Sequence, residues 1–228
     1  MTFLITIIPS FLILFYFIKS DKFQEPNKII TMTFLFGILI TIPAGYLNHY
    51  IINTFSNGEL INDAMLRGYF AGGFVEESLK FLVLYFYILK EKAFNEPMDA
   101  IVYGIAVSLG FATLENFEYV YFLSDKHQVS SLEMAIIRSF SAIPLHAVCG
   151  VIMGFYFGTY AFISGGKNLS LALIIPYLFH GTYNFVVNLG DYYFLVVLII
   201  ALIFSLSLHK KFKFLQEQKI TEKEKKII

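Results

Sequence analysis

The chain has 228 residues, 57% hydrophobic and 15% charged, with 17 basic and 17 acidic side chains and no formal net charge. So few charges cannot clothe a water-soluble surface, and a neutral chain without a folded basic domain is not built to bind nucleic acid. A single cysteine, Cys149, excludes an internal disulfide and a cysteine zinc cluster, and no HExxH, P-loop or GxGxxG pattern is present.

Apolar runs recur at close to the 20 residues that one helical crossing needs. They predict an all-α polytopic membrane bundle of about seven transmembrane helices, over residues 2–18, 29–47, 69–89, 98–123, 140–163, 169–189 and 192–208. The first run lacks a positive leader and a small-residue cleavage site, so it reads as a retained helix. Residues 48–68 form the longest predicted loop, able to cover part of the outer surface. Residues 132–139 read as an interfacial helix, and Pro144 permits a bend early in the fifth span. Residues 1–208 are expected to form one transmembrane domain, followed by a basic cytoplasmic tail over 209–228. With the N-terminus outside, thirteen lysines fall on inner segments and only Arg67, Lys126 and Arg138 on outer ones. The positive-inside rule therefore favours N-out, C-in.

Polar residues interrupt these spans. Glu76, Glu77 and Lys80 lie in the third, Glu115 and Asn116 in the fourth, His146 in the fifth, His180 and Asn184 in the sixth. An ionisable group near a bilayer centre costs about 2.5–3.5 kcal/mol on insertion scales, so each needs a partner, water or a metal. Counting from the expected outer ends at about 1.5 Å per residue puts them roughly 8–14 Å deep, in one layer of the outer half. Taken singly, each has a structural explanation. Glu76 and Lys80 suit an i,i+4 ion pair, but that leaves Glu77, about 100° away, unexplained. Glycines 150, 154 and 158 follow His146 at four-residue spacing, which makes a packing face and turns His146 inward. Asp99 opens the fourth span, where an acid favours a helix N-terminus. Separate coincidences at one depth are a poor account of the whole set.

Carboxylates beside imidazoles suit hydrolysis. A glutamate in a low-dielectric cavity can act as general base towards water, with Glu77 the first choice and Glu76 the next. Lys80 can hold one glutamate ionised. The histidines can bind a metal or stabilise an oxyanion, and Asn184 can donate to one.

Four segments then resemble the PrsW family of intramembrane proteases: FVEESLKF at 74–81, EPMDAIVYGIAVSLGFATLENFEY at 96–119, HAVCGVIMG at 146–154 and HGTYN at 180–184. That family looks like a branch of a wider group containing the CAAX prenyl endopeptidases. Glu115, in FxxxE, stands where the CAAX-type pattern has histidine, which argues against a prenyl-protein substrate. The resemblance implies Glu76, Glu77, Glu115, His146 and His180 as the active-site set, with Asn184 in support. It implies a metalloprotease, for which His146, His180 and Glu115 could bind zinc, although a metal-free glutamate–histidine mechanism would use the same residues. It also implies a multi-pass protein of the bacterial cytoplasmic membrane that cleaves a single-pass membrane-anchored substrate, an anti-sigma factor, on its extracytoplasmic side. The competing expectations are a proton or cation transporter and a non-catalytic module that binds a partner helix. The protease reading expects the Glu/His set to surround one polar cavity opening towards the outer face, which a gate can close.

Overall fold

Residues 100–114 are almost entirely apolar or small on every side, and a helix stretch without a polar face belongs inside a bundle. In the computed structural model, which describes residues 1–225, this segment lies in the central helix, whose first four turns are almost wholly buried. The described residues contain helices and no strand.

In chain order the helices are α1 (Thr2–Ser20), α2 (Asn27–Phe55), α3 (Leu60–Met65), α4 (Glu76–Phe86), α5 (Pro97–Glu118), α6 (Ser131–Phe140), α7 (Ala142–Phe162), α8 (Lys167–Asn188) and α9 (Phe194–Lys225). Six stretches are long and apolar enough to cross a membrane: α1, α2, Pro97–Leu123, Ser131–Phe162, α8 and Phe194–Gln218. The remaining predicted span is the segment with the three charges. There a π-wound stretch, Leu66–Val75, joins α3 to α4 without a break.

Two boundaries differ from the sequence reading, the predicted loop and the tail, while the entry to the fifth span is as expected. The expected long loop is largely helix, because α2 runs on to Phe55 and α3 begins at Leu60. Asn48, His49 and Asn53 lower the hydropathy there without breaking the helix, and His49 and Asn53 pair side chain to side chain at 2.8 Å. The expected short helix before the fifth span is present as α6, and a break at Ser141 divides it from α7. Pro144 lacks the N–H that would bond back one turn, so the ladder is lost at this point. Finally, α9 carries on through most of the expected basic tail as one helix, while residues 226–228 lie outside the described residues.

Helix α5 packs against α7 on one side and α2 on the other. Glycine makes the first contact close: a Cβ on Gly104 would stand 2.5 Å from the Gly150 carbonyl oxygen, and one on Gly158 2.6 Å from that of Pro97. Helices α1 and α9 instead expose Phe11, Leu12, Phe15, Ile199, Ile200 and Ile203. Large apolar side chains facing outward in this number form a lipid-facing surface.

Candidate active site

The charged third span reaches the bundle interior through its glycines. Along the π-wound stretch, a Cβ on Gly68 would lie 2.6 Å from the Phe185 nitrogen of α8, and one on Gly73 3.1 Å from the Gly181 Cα. This backbone-to-backbone approach brings the start of α4 against α8. Glu76 and Glu77 therefore point into the bundle, 4% and 0% exposed. Such π segments occur often at functional sites.

Glu77 Oε1 accepts from Lys80 Nζ at 2.6 Å and lies 2.7 Å from His180 Nδ1. Lys80 Nζ is also 2.9 Å from His146 Nδ1 and 3.9 Å from Glu76 Oε2. The i,i+4 pair with Glu76 is thus present but longer than the i,i+3 pair with Glu77. The His146 and His180 rings stand edge to face, with centroids 4.9 Å apart. On the other side of His146, Nε2 lies 3.0 Å from Glu115 Oε2, and that oxygen also accepts from Arg138 at 2.6 Å. Lys80 further sits 4.4 Å from the centre of the Phe111 ring, which favours a cation over its face.

The structure therefore joins Glu76, Glu77, Lys80, Glu115, His146 and His180 in one network drawn from α4, α5, α7 and α8. Asn184 lies one turn along α8 from His180, with its amide against Gly72. All but Glu115 of the charged and imidazole members are nearly inaccessible. Glu115 and Arg138 keep side-chain exposures of 16% and 12%, so the network touches the surface on their side.

Within it, Glu76, His146 and His180 each offer a ligand atom within 4.8 Å of the others. The carboxylate that completes this trio is Glu76. Glu115, which the sequence reading placed with the histidines, is held by Arg138 and His146 Nε2. Glu76 Oε1 takes a 3.3 Å hydrogen bond from Asn48, while Oε2 is buried with no hydrogen-bond partner. Two imidazoles and a carboxylate are a donor set that suits zinc and leaves a coordination position for water. Cys149, also buried, forms a second such group with Glu77 and His180.

Two contributors were not singled out from sequence. Arg138 had been counted only as an outer charge, and Asn48 fell just beyond a predicted span. The signal that could have found Arg138 is an intramembrane acid, Glu115, with no assigned counter-charge, and a basic residue in the expected interfacial helix on the same outer side.

A family model described as PrsW family intramembrane metalloprotease matches residues 25–208. The chain is 35% identical over 186 residues to "Protease PrsW" of Bacillus subtilis (strain 168), covering 80% of each. It is 30% identical over 225 residues to the protein of that name from Clostridioides difficile (strain 630), covering 95% of this chain and 92% of the relative. With that of Geobacillus kaustophilus (strain HTA426) it shares 33% identity over 179 residues, 77% of this chain and 75% of the relative. No solved structure matches.

Proposed function

Because this chain belongs to the PrsW family of intramembrane metalloproteases, we propose that it cleaves its membrane-protein substrate at the Glu/His network, with Glu76, His146 and His180 as metal ligands and Glu77 as general base. The observation that carries this reading is Glu76 Oε2, buried beside two imidazoles with no hydrogen-bond partner. A buried carboxylate oxygen is costly unless something cationic meets it closely, and Lys80 Nζ comes no nearer than 3.9 Å. The metal that the family implies thus fits these residues, and zinc is the ion their chemistry favours. When bound it would polarise the scissile carbonyl or lower the proton affinity of a water.

The remaining steps belong to the side chains. Lys80 and His180 both bond one oxygen of Glu77, which orients the carboxylate. Its second oxygen, Oε2, is buried without a partner and can receive a proton from water. Glu115 fixes the His146 ring through Nε2, and Arg138 fixes Glu115. Asn184 is the nearest amide along α8 to serve a developing oxyanion. The partly exposed Glu115–Arg138 side is where water and an unwound substrate segment would approach. On the expected N-out, C-in orientation this side faces the outer half of a bacterial cytoplasmic membrane. The substrate is then a single-pass protein cut near its extracytoplasmic end, and the family resemblance points to an anti-sigma factor.

Two conservative variants separate the roles. Glu77→Gln should retain metal measured by elemental analysis yet lose cleavage of a co-expressed tagged substrate by about 10²–10⁴-fold. Glu76→Gln should lose both metal and cleavage. Cleavage by Glu77→Gln at the wild-type rate would remove Glu77 as the base, and full metal content in Glu76→Gln would remove Glu76 as a ligand.

A further inference from the structure

A second group of buried acids lies far from the active site. Asp99 is in the first turn of α5, sixteen residues before Glu115, which is about 24 Å along the helix. Beside it stand Asp21, just past the end of α1, and Glu25, in the turn to α2. Their exposures are 0%, 3% and 7%. Each offers an oxygen within 4.8 Å of the other two.

Their hydrogen bonds account for only part of their capacity. Asp21 Oδ1 accepts from Gln216 of α9 at 2.7 Å and from the Phe23 nitrogen at 3.0 Å. Glu25 Oε2 accepts from the Tyr103 hydroxyl. Asp99 Oδ2 caps α5, taking the Asn95 and Glu96 nitrogens at 2.8 Å each. That leaves Asp21 Oδ2 and Asp99 Oδ1 buried with no hydrogen-bond partner. Among the described residues, none of the three acids has a lysine, arginine or histidine within ion-pair distance. Burial, with the Asp21 charge added, pushes the Glu25 carboxyl above its ordinary range. Three acids this close cannot all remain ionised without a counter-charge.

We propose that Asp21, Glu25 and Asp99 form a second cation site, for a hard divalent ion of the Mg²⁺ or Ca²⁺ class, distinct from the Glu/His centre. The donors are all carboxylate oxygens, with no imidazole or thiolate, and that set selects hard cations over zinc. They come from two segments, the α1–α2 turn and the start of α5, and Gln216 links the group to α9. An ion here would tie the α1–α2 turn, the start of α5 and, through Gln216, the last helix into one unit. The site is structural: it sets the stability of this end of the bundle rather than the chemistry at the other.

The test uses full-length protein in lipid nanodiscs, stripped with a chelator, in a His146→Ala/His180→Ala background that disables the other site. Mn²⁺, a hard ion visible by electron paramagnetic resonance, is the binding probe, and thermal unfolding in MgCl₂ or CaCl₂ is the second readout. One Mn²⁺ per chain should bind, and Mg²⁺ or Ca²⁺ should raise Tm by several degrees. Adding Asp21→Asn/Glu25→Gln should weaken Mn²⁺ binding by more than about 100-fold, beyond what loss of an outer partner costs, and abolish the shift. Protein that is folded but binds no Mn²⁺ and shows no shift before those two substitutions would overturn the site. That is the result expected if the carboxylates merely share protons. Equal Mn²⁺ binding with and without Asp21→Asn/Glu25→Gln would overturn it equally, and the single Glu25→Gln change serves if the double variant does not fold.

Discussion

Two donors meet one oxygen at Glu115: Arg138 at 2.6 Å and His146 Nε2 at 3.0 Å. The guanidinium spans further, since its Nε donates to Asn116 Oδ1 at 2.8 Å and its plane lies 3.9 Å from the centre of the Tyr119 ring. Asn116 in turn donates to the Thr6 carbonyl of α1. Arg138 is therefore a positioning residue, acting on His146 through Glu115. With His146 as the proposed metal ligand and Glu115 as its outer partner, Arg138→Ala should reduce substrate cleavage by up to about 10–100-fold, the cost of losing such a partner outright. Arg138→Lys keeps the charge but loses the fork, so it should recover only part of the rate. Wild-type cleavage by Arg138→Ala would show that Glu115 holds the ring without help.

Small residues decide which helices touch. The α5–α7 contact is made by Gly104, Gly150, Gly154 and Gly158, and a Cβ on Gly154 would meet Ile101 Cα at 2.6 Å. Since His146 and Glu115 sit on these same two helices, their 3.0 Å contact depends on that spacing. Gly154→Val should force the helices apart, at about 1–3 kcal/mol for overpacking, and lower Tm. Gly45 of α2 has open space around its Cβ position, so Gly45→Ala is the control and should leave Tm unchanged or slightly raised. Equal effects at the two positions would mean that the α5–α7 glycines are not close-packed in the folded protein.

The whole molecule is a multi-pass integral membrane protein, and its orientation is testable from its charges. Cys149 is fully buried, so the one native thiol should be silent to an impermeant maleimide. Asn57, between α2 and α3, and Lys92, between α4 and α5, are both exposed and lie at opposite ends of the bundle. In intact cells Asn57→Cys should be labelled from outside and Lys92→Cys only after permeabilisation, as N-out, C-in requires. The reverse pattern would turn the active-site layer towards the cytoplasm and exclude extracytoplasmic cleavage.

Runs of apolar residues determined by themselves that the chain is a helical membrane bundle, because a bilayer leaves few ways to satisfy a backbone. The spacing of Glu76, Glu77, Glu115, His146 and His180 also made a common layer legible, since helical rise converts position into depth. Depth says nothing of rotation about a helix or of neighbours around the bundle. Those were decided by glycine contacts and by the break at Ser141, which together selected Glu76 rather than Glu115 to stand with the two imidazoles. The same holds for Arg138, Asn48 and the Asp21–Glu25–Asp99 group. Each looks like an ordinary loop or helix-end residue in the sequence, and only packing of distant segments brings it to its partners.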